Sequence, residues 1–484
     1  MSLIYEAGSN SAVISPAKGN LQYGGAGAPP QRNLVSLDHH RRPFGVSEEL
    51  IQLMPHESAF FTMLAKLNKK KINTPIWKQN EEREQWQRRN FVVYEANSTG
   101  LELKLACDYD QFGKLHKGSN TYQTRFLLHN QILAIENVEL GHTGTDPVGT
   151  LYCRVGISDS DETLTHTGTE GTDGHTVVDL LPLYVLQNDG TIVEANTPLH
   201  VRVAAGARGQ VVGTAFPEGS SYPEGWTDEL SMCDFYAQIY KSACPMFSGT
   251  TMATEYRAKK DEFARKWLKV LKEHKMDINH SVLFGVGGVR APSGILSTDN
   301  NGTQRFSWGL IPYISRFGRV ESMSYSSTGY NDFVDFAMDY FRPENGNTEN
   351  KVWLASHKVI AWFAKLGQGF SFIGNTSGSG AHRYDVMTKP TKFGFNVTEV
   401  QTPFGNFKFV PEALLRNQWE DIAVMVDLDN VAWRPLAGNG KSRDTFIRPN
   451  VQSPGIDGRV DEIITEAGLE ITMPEKHCIF KFGN

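Results

Sequence analysis

Apolar positions along this chain recur at two different periods, and the switches between them divide it into segments. Phe60, Met63, Leu64 and Leu67 follow Ser58, a possible N-cap, at helical spacing, and Lys69, Lys70 and Lys71 close the run with favourable charge, which predicts a short helix. Ile72 to Trp77 and Phe91 to Tyr94 then read as extended strands. Between them lies a polar stretch with Glu81, Glu82, Arg83, Glu84, Arg88 and Arg89 around Trp86. Two strands with a long charged tip cannot bury themselves, so this hairpin is expected to meet another surface, with a solvated loop as the alternative.

The longest helical pattern runs from Met252 to Phe284, with Phe263, Trp267, Val270, Leu271 and Ile278 on its apolar face and Lys259, Lys260, Lys266, Lys269 and Lys272 opposite. Gly285, Gly287 and Gly288 stop it. After Tyr330 helices and strands alternate: a helix at 332–341, strand Val352 to Ala355, a helix at 356–366, then strands Val397 to Gln401, Phe407 to Val410 and Ile422 to Leu428, which predicts a separate α/β unit. Two alternating strands, around Gly468–Thr472 and Cys478–Phe482, close the chain and need a sheet to join, expected beside the long helix.

Two stretches depart from these patterns. Residues 1 to 45 are rich in Gly, Pro, Ser and Asn without sustained apolar period, as in a flexible arm. Residues 141 to 213 turn to Gly, Thr, Asp and His, with Leu183 to Gln187 and Thr191 to Glu194 flanking an Asn188-Asp189-Gly190 turn, so a small β-rich inserted domain is expected there. Its Gly/Ala-rich edges suggest an autonomous unit whose removal spares the rest of the subunit.

Composition narrows the function. At 484 residues the chain suggests roughly three structural units of ~150 residues. A formal charge of -6 gives no general pull toward nucleic acid or anionic membrane. No run of 18 apolar residues offers a membrane span, and the opening residues show no basic segment followed by an apolar stretch, so no secretory signal is expected. Five scattered cysteines, Cys107, Cys153, Cys233, Cys244 and Cys478, form no CxxC pair and read as free thiols of a reducing compartment.

Catalytic chemistry finds no support. Gly438-Asn439-Gly440-Lys441-Ser442 imitates the end of a phosphate loop, but Pro435 stands where its first glycine belongs and no helical pattern follows. Gly285-Val286-Gly287-Gly288 follows a helix, not the strand a dinucleotide fingerprint requires. His39-His40 lack further ligands, Asp159 and Asp161 read as solvated polar surface, and no Gly-x-Ser-x-Gly elbow exists. Neither cofactor, metal nor enzymatic activity is expected.

The order of the arm, the short helix His56-Glu57-Ser58-Ala59-Phe60-Phe61, the hairpin Ile72 to Tyr94 and the spine helix ending Ser281-Val282-Leu283-Phe284-Gly285 resembles major capsid proteins of tailed bacteriophages with the Johnson, or Hong Kong ninety-seven, fold. Trp308-Gly309-Leu310-Ile311-Pro312-Tyr313, Val352-Trp353-Leu354-Ala355-Ser356-His357 and Gly468-Leu469-Glu470-Ile471 resemble strings of that family. The resemblance implies an α+β fold with an N-terminal arm at 1–55, the short helix at 56–69, an extended loop at 70–97 and a peripheral domain at 98–140 and 214–330. It further implies an axial domain at 331–450 and C-terminal strands at 451–484 returning to the peripheral domain, with the β-rich insertion at 141–213 as an extra. It implies a virion protein, assembled in the bacterial cytoplasm as hexamers and pentamers into an icosahedral shell around double-stranded DNA held by non-specific contact. A separate scaffolding protein, a portal and a decoration or cement protein are the further partners it suggests, and no membrane. Glu81, Glu82, Arg83, Glu84, Trp86, Arg88 and Arg89 are then the expected inter-subunit contacts of the extended loop, and reversing Arg83, Arg88 and Arg89 should spare the fold while blocking assembly. The alternatives are an encapsulin-like nanocompartment shell of the same fold, and a cytoplasmic hydrolase with a β-rich accessory domain.

Overall fold

A computed structural model describes residues 60, 61, 64 and 69–483, apart from 84–88, 97–101, 117, 141–147, 157–163, 195–200, 217, 221, 223–224, 228, 256–260, 291–303, 342–349, 372–385, 391–395 and 402–403. The arm at 1–55 and residues 56–59 of the short helix therefore lie outside the described residues. The chain divides into two compact units, one of residues 1–54 with 250–265 and one of 55–249 with 266–484, and the described strands all lie in the second.

The first extended run becomes strand β1 (Ile76–Glu81), but its partner is not the next strand along. Between residues 90 and 214 the chain builds a closed antiparallel barrel from β2 (Asn90–Glu95), β3 (Glu102–Cys107), β4 (Gln131–Leu140), β5 (Val148–Val155), β6 (His175–Gln187) and β7 (Arg208–Thr214). Around the barrel the order is β2-β3-β6-β5-β4-β7, and β7 closes it by pairing back onto β2. Side-chain alternation directs Phe91 and Val93, Leu103 and Leu105, Leu133 and Ile135, and Leu151 and Cys153 inward into one buried core. A closed barrel leaves none of these six strands without a neighbour. Phe91 lies opposite Gly209 across the β2–β7 pair, and a Cβ at Gly209 would stand 2.3 Å from the Phe91 ring, so only glycine makes room for it. Pro182 is accommodated in β6 beside a register shift in its pairing with β5.

This barrel redraws two expectations. The β-rich stretch at 141–213 is not closed at its boundaries: β5, β6 and β7 share a sheet and a core with β2, β3 and β4, so cutting at 141 would open the barrel. The hairpin Ile72 to Tyr94 does not form either. β1 pairs instead with β8 (Ser231–Tyr236) in a separate two-stranded ribbon, from Ile76 opposite Tyr236 to Glu81 opposite Ser231. Ribbon and barrel are thus nested: β1 leads in, β8 leads out, and the barrel is inserted between them.

Past the ribbon, β9 (Gln238–Ala243) joins a sheet with the long strand Glu462–Ile471 and with Val431–Pro435. The spine helix α1 (Glu262–Phe284) rests on this sheet; it begins at Glu262 and not at Met252, because the Asp261 carboxylate caps it by accepting the amide of Ala264 at 2.9 Å. Val270, His274, Ile278 and Val282 form its buried stripe, while Phe263, Trp267 and Leu271 are half-buried and Lys269 and Lys272 face solvent. A polar seam fixes the helix to the sheet: Ser242 Oγ lies 2.8 Å from His274 Nδ1, His274 Nε2 2.9 Å from Thr465 Oγ1, and Tyr240 donates to Ser281 at 2.8 Å. Burial holds the His274 imidazole below its usual pKa. Phe60 and Leu64 of the short helix are buried in the same core, where Glu412 accepts the Phe60 amide at 3.0 Å.

A third core fills a seven-stranded mixed sheet in the order Arg319–Ser324, Cys478–Gly483, Ile422–Val426, Asn350–Ala355, Asn406–Pro411, Asn396–Gln401 and Val386–Pro390. Helices α2 (Leu310–Phe317), α3 (Tyr330–Tyr340) and α4 (His357–Ser371) accompany it. Trp353 is its centre, fully buried and stacked on Phe480 at 4.2 Å. Of the two C-terminal strands, only Glu462–Ile471 returns to the spine sheet; Cys478–Gly483 crosses into this one, between strands 319–324 and 422–426. The axial segment 331–450 is likewise divided, since Val431–Pro435 pairs within the spine sheet.

Candidate interaction surface

The β1–β8 ribbon has an inner and an outer face because its side chains alternate. On the inner face Trp77 stacks on Phe235 at 5.9 Å and donates its indole N–H to Glu470 at 2.7 Å, while Phe235 meets Tyr313 at 5.8 Å. The outer face carries Ile76, Lys78 and Asn80 from β1, with Met232 and Asp234 from β8, all exposed. Met232 is 63% exposed. Lys78 and Asp234 sit opposite each other at 3.6 Å, an exposed pair worth only ~0–1 kcal/mol.

The charged run after β1 separates into two environments. Glu81 is buried, and the Arg83 side chain is only 8% exposed. Arg83 Nη2 donates to Glu81 at 2.7 Å and to Glu475 at 3.2 Å, and its Nε also donates to Glu475. The second oxygen of Glu81 accepts the backbone amide of Met473 at 2.8 Å. Burial works against the guanidinium charge, but Glu475 and Glu81 outweigh it and raise the Arg83 pKa. This cluster ties the end of β1 to the turn before the last strand, so the Glu81 and Arg83 side chains, expected at the surface, are buried and engaged within the subunit. Glu82 and Arg89 are exposed, the Arg89 carbonyl accepting the Val211 amide at 2.7 Å, and Glu84, Trp86 and Arg88 lie outside the described residues.

Exposed apolar side chains continue along the strap from barrel to ribbon: Val212, Phe216, Tyr222, Trp226 and Leu230, ending at Met232. A doubled string marks this strap in the sequence, Phe216-Pro217-Glu218-Gly219 and Tyr222-Pro223-Glu224-Gly225, and it is the signal that would have pointed here. Apolar groups this concentrated mark an interaction surface more often than scattered single exposures do.

Among the described residues no three His, Cys, Asp or Glu side chains converge to hold a metal, and no helix is long and apolar enough to cross a membrane. The phosphate-loop imitation is a tight hairpin, Ala437–Gly438 paired with Lys441–Ser442, followed by strand Phe446–Arg448 and not by a helix.

Comparison with known proteins adds the family context. The sequence profile of the SU10 major capsid protein family matches residues 34–482. No curated protein matches the chain. Among solved structures, the capsid of cyanophage A-1(L) is similar at 10% identity, over 56% of this chain and 84% of that one, with a TM-score of 0.37. The capsid of Mycobacterium phage Patience is similar at 14% identity, over 56% and 76%, with a TM-score of 0.35. The SrpI encapsulin of Synechococcus elongatus is similar at 9% identity, over 52% and 77%, with a TM-score of 0.31.

Proposed function

The chain belongs to the SU10 major capsid protein family, a bacteriophage virion component, and from that premise we propose that it assembles as hexamers and pentamers into an icosahedral shell around double-stranded DNA. The single observation that carries this reading is the family match across residues 34–482. The order of elements supports it: a loop-borne ribbon, a long helix laid on one sheet and a separate α/β sheet follow one another as the Johnson fold implies. The family role is structural.

The outer face of the β1–β8 ribbon and the strap behind it are the surfaces that meet a neighbouring subunit. Ile76, Leu230 and Met232 gain burial only there, at ~25 cal/mol per Å² of apolar surface removed from water. Arg89 and Glu82 flank this contact with charge. Assembly in the host cytoplasm, a separate scaffolding protein, a portal and a decoration protein complete the proposal; DNA is met through non-specific contact.

Electron microscopy of the purified protein tests it. The expected result is closed particles with fivefold and sixfold capsomers, and DNA-filled particles from infected lysate; small DNA-free particles around a cargo protein would favour the encapsulin alternative. Met232→Glu together with Ile76→Glu should leave a folded, soluble subunit that fails to close shells. Normal particles from that variant would reject the ribbon as a contact.

A further inference from the structure

We propose that His477 is an acid-sensitive latch that holds the end of ribbon strand β1 against the C-terminal turn. The turn Thr472–His477 lies between the two last strands and is gripped from several sides. Its Met473 amide donates to Glu81, its Glu475 carboxylate receives Arg83, and its Lys476 carbonyl receives the Tyr340 hydroxyl of α3. The Thr472 amide donates to the Asn430 carbonyl at 2.9 Å. His477 is fully buried at the end of this turn and staples it shut.

Both ring nitrogens of His477 are committed. Nδ1 accepts the backbone amide of Asp427 at 3.2 Å, and Nε2 lies 3.2 Å from the Thr472 carbonyl, to which only an N–H can donate. These contacts assign the neutral tautomer with its proton on Nε2. A proton added to Nδ1 would set an N–H against the Asp427 N–H and abolish that bond.

The charged surroundings resist the same proton. From strand Asn350–Ala355 comes Lys351, whose ammonium lies 3.0 Å from the Asp427 carboxylate; the side chains are 2% and 3% exposed. Asp427 also accepts from Asn430 Nδ2 at 3.1 Å and from the Asp429 amide at 3.2 Å. The turn's own Glu475, engaged by Arg83, also favours a charge on the ring, while Asp429, Lys476 and Tyr340 stand beside Lys351, and from strand 319–324 the Arg319 amide donates to the His477 carbonyl. A protonated His477 would thus be a second buried cation sharing one carboxylate with Lys351. Burial pushes His477 down to about 4; the Asp427 carboxylate opposes the shift and the Lys351 ammonium reinforces it.

The sign follows from linkage. An exposed histidine titrates near ~6.5, so between that pH and about 4 the open turn binds a proton that the closed turn refuses. Latch stability is complete above ~6.5 and falls about tenfold per pH unit below it, which makes the open fraction about 30-fold larger at pH 5.0 than at pH 7.5. Opening the turn frees Met473 and Glu475, and with them the anchors of Glu81 and Arg83. The latch thereby regulates the ribbon, and this consequence rests on the ribbon being the assembly surface.

Hydrogen–deuterium exchange of the full chain, with rates normalised for intrinsic chemistry at each pH, tests the latch on the peptides spanning 76–83 and 472–477. Wild type should lose protection in both peptides together, by about 30-fold, between pH 7.5 and 5.0. His477→Gln keeps a donor and an acceptor but cannot titrate, and its exchange in these peptides should be flat with pH. Should that variant misfold, Lys351→Gln supplies the second arm: removing the ammonium raises the closed-state pKa of His477 toward that of the open turn, so the loss of protection between pH 7.5 and 5.0 should shrink well below 30-fold. Protection unchanged at pH 5.0 in wild type, or an acid transition that survives unaltered in either variant, overturns the proposal. If Met232→Glu and Ile76→Glu assemble normally while the wild-type acid transition holds, the ribbon reading fails and the latch stands; blocked assembly with a flat profile gives the reverse.

Discussion

Replacing Arg83 by Met separates the internal reading of the charged run from the surface one. The guanidinium bridges Glu81 and Glu475, and the substitution keeps most of its aliphatic volume while leaving two carboxylates facing each other behind β1. Breaking a buried pair by removing one member costs ~3–5 kcal/mol, because the remaining charge stays desolvated. Glu81 retains the Met473 amide, which favours the lower half of that range. Arg89→Met, at an exposed position, should stay within ~0.5 kcal/mol of wild type. Exchange protection of the 76–83 peptide reads this locally, and a loss of about 10²–10³-fold is expected for Arg83→Met against no change for Arg89→Met. Adding Glu475→Gln and Glu81→Gln should recover part of the loss, since the uncompensated charge is what costs. If Arg83→Met kept wild-type protection the buried cluster would be wrong, and an Arg83→Glu variant that folded normally but failed to assemble would restore the surface reading.

Trp353→Ala should cost ~3–5 kcal/mol in urea denaturation of the α/β sheet, because the indole is fully buried and stacked on Phe480; a loss under ~1 kcal/mol would mean the core collapses around the gap. Residues 90–214 expressed alone should fold cooperatively with a sheet-type circular dichroism spectrum, since the barrel is closed and has its own core, whereas 141–213 alone should remain unfolded; the opposite pairing of outcomes would return the domain boundary to residue 141.

Elements whose evidence is local were legible in the sequence. The alternation of Phe91 to Tyr94, the Asn188-Asp189-Gly190 turn, and the strands around Val352, Phe407 and Ile422 all occur close to where their patterns placed them. Partner choice was not legible, because it is settled by contacts far along the chain. β1 passes over the nearby β2 for β8, roughly one hundred and fifty residues on, and no spacing rule announces that register. The charges of Glu81 and Arg83 read as surface because their neighbours are charged and polar; what buries them is Glu475, 392 positions after Arg83. His477 gave no periodic signal at all, being a lone histidine ahead of an apolar strand. The helix start at Glu262 was displaced for the opposite reason: apolar spacing continued past a boundary that the Asp261 cap enforces.

The nesting of the barrel between β1 and β8 has a mechanical meaning. A pull on the barrel along the ribbon is shared by two strands running side by side, entering at residue 90 and leaving at residue 214, so neither strand is dragged past the other. Hydrogen bonds between them are then neither sheared in sequence nor peeled from one end, and tension passes into covalent backbone. The pairing of Asn90 with Gln210 at the barrel's foot keeps the two lines from being drawn apart. One line is tied to the rest of the molecule through Arg83 and Glu475, and the other through the Trp308 indole, which donates to the Asp234 carbonyl at 3.2 Å, so a load on the barrel reaches the body of the subunit along both strands.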